Sequence, residues 1–353
     1  SRVADALPEM DGVCLPCKMT ERSDVLGEIE EFAVMVANTT KPLSYLCEYA
    51  KALEAAIEIA TAIRGGAEQL KKKPYFCHSV TPLPLQYFKE HIDQLLIAAE
   101  NGIPIWNGTA SVGGASTPIT IAGNVVHCCA TELAGLVLTQ LAAKGSYCSV
   151  GSTIVFMDRV TGNLAGGPET LMAELAQAQI ARSLGFPGVG GNGGLNLGKH
   201  FNQDAVSMIG ISMMASIFAR ATSCAYVGSI DSDLTFSLHA LLYCNELAGM
   251  SRRIWKGIRV DDETLALDVT RAVGPGGDYL SEMHTAKHCR TEFWGTRYSQ
   301  AIDFETWERE GKKDLKDRID EDLRTILETH QPEPLPDSIR SQITSILKKF
   351  GVI

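Results

Sequence analysis

The chain of 353 residues has room for one large domain or two small ones, and its 45% hydrophobic content is enough for a buried core. A formal net charge of −10 argues against nucleic acid as a partner, because nucleic acid favours a basic face. Every eighteen-residue apolar run has polar interruptions, so we expect no membrane span, and no signal peptide is visible after Ser1, which is not a natural start.

Short apolar segments alternate with helical patterns along most of the chain, as in β/α units. The predicted strands are residues 12–19, 41–47, 74–80, 103–107, 146–152, a short apolar run before residue 186, 223–230 and 278–282. The predicted helices are 23–37, 50–64, 85–101, a long helix that follows a 108–117 loop and ends at Leu141, 168–184, 205–221, 237–255 and 261–272. Eight such repeats predict an α/β fold, a (β/α)8 TIM-type barrel, over residues 1–284.

From Thr285 onward the sequence changes character. Charged helical segments are separated by Gly311 and by the proline-rich run 332–336. We expect residues 285–353 to form a helical C-terminal extension that packs on the barrel.

A glycine-rich stretch, residues 186–199, lies between a predicted strand and an apolar helix. Dense glycines permit positive φ angles and close approach of the backbone to another group. Strand, glycine loop and helix in this order present a ligand at the carboxyl end of a β/α unit. An ordinary tight turn is the alternative. The stretch lacks the Gly-Lys-Ser/Thr of a phosphate loop, and its match to a dinucleotide fingerprint has no acidic partner at the expected distance.

Residues at the predicted strand ends are candidates for a site, because barrel enzymes place their chemistry there. They are Phe76, His78, Trp106, Asn107, Ser152, Phe156, Asn192, Asn196, Tyr226, Ser229, Asp231, Glu282 and His284. Each alone has an ordinary explanation as core, cap or loop residue. Together, aromatic faces that attract an ammonium group and amides that bind a carboxylate would suit a small amphiphilic cation.

The cysteines and histidines give weak metal motifs. Ten scattered cysteines favour free thiols in a reducing cytoplasm over a disulfide framework. Cys14 and Cys17 form a lone C-x-x-C pair without the second pair that structural zinc requires. His284 and His288 share a helix face, which leaves a metal hydrolase as an alternative, but capping or packing explains them better. We therefore predict no bound metal.

Several motifs extend over nearly the whole chain. They are Ile63-Arg64-Gly65-Gly66, residues 98–104, 117–123 and 133–138, Met157-Asp158 with Thr161-Gly162, and residues 166–169, 261–268, 273–277 and 284–294. Together they resemble the trimethylamine methyltransferase family, in its branch without pyrrolysine, which includes glycine betaine:corrinoid methyltransferases.

The resemblance implies a barrel, a methylated amine as substrate, and a partner corrinoid protein that carries the cobalamin-type cofactor and receives the methyl group. In the other branch, pyrrolysine lies in the central glycine stretch, and alignment on Lys199 places Leu195 at its position. Leucine cannot perform imine chemistry, which argues against trimethylamine itself. A quaternary amine needs no such group, because it leaves as a neutral tertiary amine. His239 replaces an acidic residue that relatives often carry after Ser-Leu.

We therefore predict a methyltransferase that moves a methyl group from a quaternary amine to the Co(I) corrinoid of its partner. Glycine betaine is the favoured substrate. The predicted substrate-binding residues are Phe76, His78, Trp106, Phe156, Asn192, Asn196, Tyr226, Asp231 and His284. Among them, Trp106, Phe156 and Tyr226 would form an aromatic cage. Four others, His78, Asn192, Asn196 and His284, would bind the substrate carboxylate or line the cobalt side.

Two alternatives to glycine betaine demethylation stay open besides the metal hydrolase. One is the same chemistry on another betaine, such as carnitine or proline betaine. The other is a betaine-binding barrel without enzymatic activity. We also expect a homo-oligomer in the cytoplasm, without nucleic acid or membrane partners.

Overall fold

The computed structural model describes residues 1–15, 17–194 and 196–353. The helices in this part of the chain are α1 (Arg2–Ala6), α2 (Val25–Ala37), α3 (Ala50–Arg64), α4 (Ala67–Lys72), α5 (Lys89–Glu100), α6 (Ile121–Ala142), α7 (Pro168–Ser183), α8 (Gln203–Phe218), α9 (Leu238–Lys256), α10 (Asp262–Leu265), α11 (Leu267–Val273), α12 (Met283–His288), α13 (Phe304–Arg309), α14 (Leu315–Thr329) and α15 (Asp337–Phe350). The strands are β1 (Val13–Cys14), β2 (Leu43–Leu46), β3 (Phe76–Val80), β4 (Ile105–Asn107), β5 (Ala110–Gly113), β6 (Cys148–Val150), β7 (Thr153–Met157), β8 (Leu164–Ala165), β9 (Gly190–Gly191), β10 (Ser223–Cys224), β11 (Ser229–Ile230) and β12 (Thr235–Phe236).

Parallel strands form the centre of the fold. One sheet has the order β1-β2-β3-β4-β6, and every neighbouring pair in it is parallel. A parallel bridge between Val150 and Val189 leads from β6 to the start of the glycine stretch, where β9 pairs in parallel with β10. Seven parallel strands therefore follow one another in chain order with helices between them, which confirms the α/β class.

Shorter strands lie outside this series. A second sheet has the order β5-β7-β8, and β11 pairs with β12 antiparallel. The predicted 108–117 loop thus contains strand β5. The predicted strand 223–230 is interrupted, because Tyr226 and Gly228 have φ angles of 59° and 91°, which no regular strand accommodates.

The prediction of a strand at 278–282 is wrong. The Asp278 side chain accepts a hydrogen bond from the N–H of Leu280 at 2.8 Å, and the N–H of Glu282 donates to the carbonyl of Tyr279 at 3.2 Å. Such local bonds compete with a strand ladder and turn the backbone instead. The described residues contain no eighth parallel strand after β10. Closure of the sheet into a (β/α)8 barrel therefore remains a prediction.

The two faces of the main sheet differ. Alternate residues of β2, β3, β4 and β6 are buried against the helices, and bulky aromatic and aliphatic side chains predominate among them. Phe32 of α2 packs against Tyr45 and Phe76 there, with ring centroids 4.8 and 5.2 Å away. The opposite side, which we name the open face, carries Ser44, Leu46, Cys77, Ser79, Trp106 and Ser149. Most of these residues are partly or fully exposed.

Helix α6 is long and apolar enough to cross a membrane by length and composition, which the sequence analysis did not foresee. Here it packs on the fold through the buried polar residues Asn124, Thr131 and Glu132. All ten cysteines are free thiols, as predicted.

The C-terminal helices pack back onto the rest of the chain. Helix α15 lies against α3 and α14 against α9, with Ile319 and Ile343 buried. The boundary at residue 284 between a barrel and an extension remains a prediction.

Candidate functional site

Trp106 lies against the glycine stretch on the open face. A Cβ atom placed on Gly190 would lie 3.1 Å from the indole ring, and one on Gly151 would lie 2.9 Å from Nε1. Glycine at both positions therefore lets the indole contact the backbone directly. The Nε1–H group is buried and has no hydrogen-bond partner within the described ranges. An unpaired buried donor is costly, which favours pairing with a ligand or a water molecule.

Asn192 directly follows β9 and is held by Glu174 of helix α7. The Asn192 amide Nδ2 donates a hydrogen bond to Glu174 Oε1. Asn192 is 3% exposed and Glu174 is 8% exposed. Burial raises the pKa of Glu174 to about 8, although the hydrogen bonds from Asn192 act in the opposite direction. A predicted site residue is thus tied to a carboxyl group that titrates near neutral pH.

Glu132 of helix α6 is a second buried acid behind the strand ends. Its Oε1 accepts hydrogen bonds from Ser152 Oγ at 2.8 Å and from Gln177 Nε2 at 2.7 Å. Gln177 Oε1 in turn accepts from the backbone N–H of Ser152 at 3.1 Å. Burial raises the pKa of Glu132 to about 8. This closed network joins α6 and α7 to Ser152 after β6 and holds the three elements together behind the site.

Tyr226 reaches from the end of β10 toward the second sheet. Its hydroxyl shares a hydrogen bond with Thr153 Oγ1. Burial raises the pKa of Tyr226 to about 12, and the charges of Asp233 and Glu174 act in the same direction. A Cβ atom on Gly194 would lie 1.6 Å from the Tyr226 carbonyl oxygen, so only glycine fits beside it. The glycine stretch therefore contacts the indole ring of Trp106 and the backbone of Tyr226.

The sequence analysis missed both buried acids, although α7 carries a signal for one of them. Thr170, Glu174 and Gln177 recur at helical spacing on the same side as buried alanines. A polar row within a buried alanine face predicts hydrogen-bond partners in the interior. Glu132 is the sole charged residue of the 22-residue helix α6, which is a comparable signal.

Comparison with known proteins decides the family. The sequence profile of the trimethylamine methyltransferase (MTTB) family matches residues 15–349. The chain belongs to the trimethylamine methyltransferase family. A trimethylamine methyltransferase MttB from Desulfitobacterium hafniense is 30% identical over 99% of this chain and 70% of its own length. A glycine betaine methyltransferase from the same species is 29% identical over 94% of this chain and 70% of its length. An MttB from Methanosarcina barkeri is 26% identical over 99% of this chain and 71% of its length.

In this family member, three predicted site residues face the helices. Phe76 packs in the core beside Phe32. His78 is fully buried, its Nε2 lies 3.1 Å from Gln94 Oε1, and burial lowers its pKa to about 4. Phe156 packs with Ile154 in a small cluster against α6 and α7. Within the described residues, no aromatic contact joins any two of the predicted cage residues.

Two loop residues are engaged locally. Asn196 Nδ2 donates to the carbonyls of Gly194 and Ser229, each at 2.8 Å, and its Oδ1 accepts from the N–H of Gly198 at 3.1 Å. These bonds use both amide donors to hold the loop. Asp231 pairs with Lys199 across the same loop. The roles of Asn196 and Asp231 in substrate binding stay predictions.

His284 lies on α12, outside the glycine stretch. Its Nε2 is 3.2 Å from the carbonyl oxygen of Glu263, and its ring centroid is 4.5 Å from that of His288. Among the described residues, no group of three or more histidine, cysteine, aspartate or glutamate side chains is arranged to hold a metal ion.

Two departures from the family pattern concern Leu195 and His239. Leu195, which the sequence analysis aligns with pyrrolysine, lies outside the described residues. His239 Nε2 is 2.6 Å from Asp320 Oδ1 on α14, and this hydrogen bond is the main reason that the pKa of Asp320 is lowered. An acidic residue at 239 would face Asp320 and repel it, so the pairing between α9 and α14 accounts for histidine here.

Proposed function

We propose that this protein transfers a methyl group from a quaternary amine, with glycine betaine as the first candidate, to the Co(I) corrinoid of a partner corrinoid protein. The observation that carries the proposal is Leu195, which alignment of the glycine stretch on Lys199 matches with the reactive pyrrolysine of the other branch. The similarity to a glycine betaine methyltransferase over 94% of the chain supports the same substrate class. The proposal includes closure of the parallel strands into a (β/α)8 barrel.

The reaction requires no covalent intermediate with the protein. The partner's Co(I) corrinoid would supply the nucleophile that takes the methyl group on cobalt, and the electron pair of the C–N bond would remain on a neutral tertiary amine. No protonation of the leaving group is needed, because the quaternary nitrogen already carries the positive charge. The chain must therefore orient the methyl group, surround the cation and exclude water.

Trp106 and Tyr226 are the residues that we assign to the cation. The Trp106 ring lies against Gly190, and the backbone carbonyl of Tyr226 lies against Gly194, so both residues border the glycine stretch. An aromatic face stabilises an ammonium group by about 0.5–2 kcal/mol. Asn192 lies on the same stretch and is the amide that we assign to the site. Phe76 and Phe156 are not part of this proposal, because their rings pack against other side chains and helices.

The open face provides access for a large planar cofactor carried by a partner. Leu46 is 45% exposed at the end of β2, and Cys14 is exposed at the end of β1. Ser44 pairs with Cys14 and Ser79 of β3 pairs with Leu46, and the two serine hydroxyl oxygens are 3.2 Å apart. The carboxyl ends of these strands are thus small or uncovered, which fits the approach of a corrin face.

A panel of methylated amines with free Co(I) cobalamin, followed by absorbance, tests the proposal. We expect glycine betaine or another quaternary amine to methylate the cobalamin and trimethylamine to remain unreacted. Turnover of trimethylamine at a rate similar to the best betaine would overturn the assignment. A preference for carnitine or proline betaine would keep the chemistry and change the substrate, whereas betaine binding without methyl transfer would favour a binding protein.

We further propose a homo-oligomer that forms through the outer face of α6. This face carries only apolar residues: Ala122, Val126, Ala130, Leu133, Ala134, Val137 and Leu141, all exposed. Glu132, the helix's single charged residue, points inward to Ser152. A contiguous apolar surface on an exposed helix face marks an interaction site. A second copy offers an equally uncharged surface, whereas an anionic lipid surface would repel a chain of net charge −10.

A further inference from the structure

The pair formed by Glu174 and Asn192 is buried yet titratable. Glu174 projects from α7, and Asn192 lies on the glycine stretch, 18 residues further along the chain. Both side chains are more than nine-tenths buried. The methyl transfer described above gives Glu174 no role. Glu132 is held by hydrogen bonds from both Ser152 and Gln177, whereas the side chain that bonds to Glu174 is that of Asn192.

The protonation state of Glu174 determines how the Asn192 amide is oriented. An ionised carboxylate only accepts hydrogen bonds, so it pairs with the Nδ2 group and turns the Asn192 carbonyl oxygen away from Glu174. A protonated carboxyl keeps one accepting oxygen and gains an O–H donor, so Oδ1 of Asn192 can pair with that O–H and turn the NH2 group outward. The first orientation presents the negative end of an amide dipole, and the second presents the positive end.

We propose that Glu174 is a positioning residue that sets, through Asn192, which end of the Asn192 amide faces the substrate cation. Ionised Glu174 gives the state that binds the cation, and the substrate selects that state. The inference rests on the proposed function, since it places the quaternary ammonium group beside the glycine stretch. It adds a proton to the binding equilibrium that the methyl transfer itself does not require.

Among the groups that contact the glycine stretch, Glu174 is the one whose pKa is raised to about 8. Burial raises the pKa of Cys224 to about 11 and that of Tyr226 to about 12, and the charge of Glu174 contributes to both shifts. Asp233, whose pKa burial also raises, acts on Tyr226. From α7 itself, Gln177 is neutral and bonds to Glu132. Glu132 is the other buried acid with a pKa of about 8, but it contacts Ser152 and not the glycine stretch.

Calorimetric titration of the full chain with glycine betaine tests the proposal. At pH 7, where most Glu174 is protonated, we expect binding to release nearly one proton, measured in two buffers of different ionisation enthalpy. The competent fraction rises with pH, so the affinity should be about tenfold higher at pH 9 than at pH 7.

Two variants separate Glu174 from its matched control. Glu174→Gln removes the ionisable group, so we expect proton release to vanish and the affinity to become independent of pH. Glu132→Gln, which changes an equally buried acid away from Asn192, should retain both the proton release and the pH dependence. If Glu174→Gln does not fold, the proton count of the unaltered protein and of Glu132→Gln decides the matter.

The outcomes distinguish the two proposals. Betaine binding without proton release in the unaltered protein overturns the inference and leaves the proposed function intact. Proton release that persists in Glu174→Gln but disappears in Glu132→Gln also overturns it. Absence of binding by every quaternary amine in the panel overturns the proposed function, and the inference with it.

Discussion

Trp106 and Phe156 show how side-chain direction separates a site residue from a core residue. Both are large aromatic residues near strand ends. Trp106 is half-buried against Gly190 and Gly151, whereas Phe156 is 9% exposed and packs with Ile154 and other apolar groups. A ring in contact with backbone glycines is free to receive a ligand on its other face. A ring enclosed by aliphatic groups contributes to stability instead.

Substitution of Trp106 tests this distinction. We expect Trp106→Leu to weaken glycine betaine binding by about three- to thirty-fold, because it removes one aromatic face from the cation. The melting temperature should change little, since the indole is only half-buried. Calorimetric titration paired with thermal denaturation measures both quantities.

The control for Trp106 is Phe156→Leu. It shortens a buried ring, so we expect a lower melting temperature with an unchanged betaine affinity in the folded protein. Unchanged affinity in a well-folded Trp106→Leu protein would remove the indole from the site. Weakened affinity in Phe156→Leu would show that the cluster against α6 and α7 supports the cage.

At the scale of elements, helices α6 and α7 each bring one acid to the strand ends. Glu132 reaches Ser152 after β6, and Glu174 reaches Asn192 after β9. The two acids also affect stability in the same direction. Each has a folded-state pKa of about 8 against an ordinary value of 4.5. Above pH 4.5 the unfolded chain releases protons that the folded protein retains, so stability falls as the pH rises toward 8.

Glu132→Gln tests this linkage between pH and stability. Glutamine retains an oxygen that accepts from Ser152 and Gln177, but it does not ionise. Between pH 7 and 8 we expect the free energy of unfolding of the variant to fall about half as steeply as in the unaltered protein, because Glu174 still contributes its share. The pKa of His78 is lowered from 6.5 to about 4, so its protonation affects stability mainly below pH 6.5. Denaturant melts at several pH values measure the slopes, and identical slopes would contradict the assignment of Glu132.

Strand positions were more predictable than side-chain directions. The apolar runs at 41–47 and 74–80 predicted β2 and β3 because turn residues bound them. The prediction that residues 76 and 78 face a ligand did not account for alternation, by which both lie on the helix side. Glu132 and Glu174 were missed because their partners lie 20 and 18 residues away and only folding brings them together. The failed strand at 278–282 reflects a single aspartate that bonds to its own backbone.

At the scale of the whole molecule, charge and apolar surface are distributed unevenly. The chain carries a net charge of −10, yet the outer face of α6 has no charged residue. Leu85 lies beside α6, since its N–H donates to Thr131 Oγ1 at 2.8 Å, and its side chain is 59% exposed. Phe88, 44% exposed, lies three residues further along the same segment. An apolar area of this extent, exposed in one copy, indicates an interface.

Introduction of a charge on α6 tests the proposed oligomer. Val137 is 57% exposed within the apolar row, so Val137→Glu would place one carboxylate from each copy in the proposed interface. Burying unpaired like charges costs several kcal/mol, which exceeds what most interfaces tolerate. We expect light scattering coupled to size exclusion to show a single copy for Val137→Glu and a larger species for the unaltered chain. Val34→Glu, on the equally exposed outer side of α2 at 52% exposure, should leave the larger species unchanged. A single-copy mass for the unaltered chain would contradict the interface, as would an unchanged assembly of a folded Val137→Glu protein.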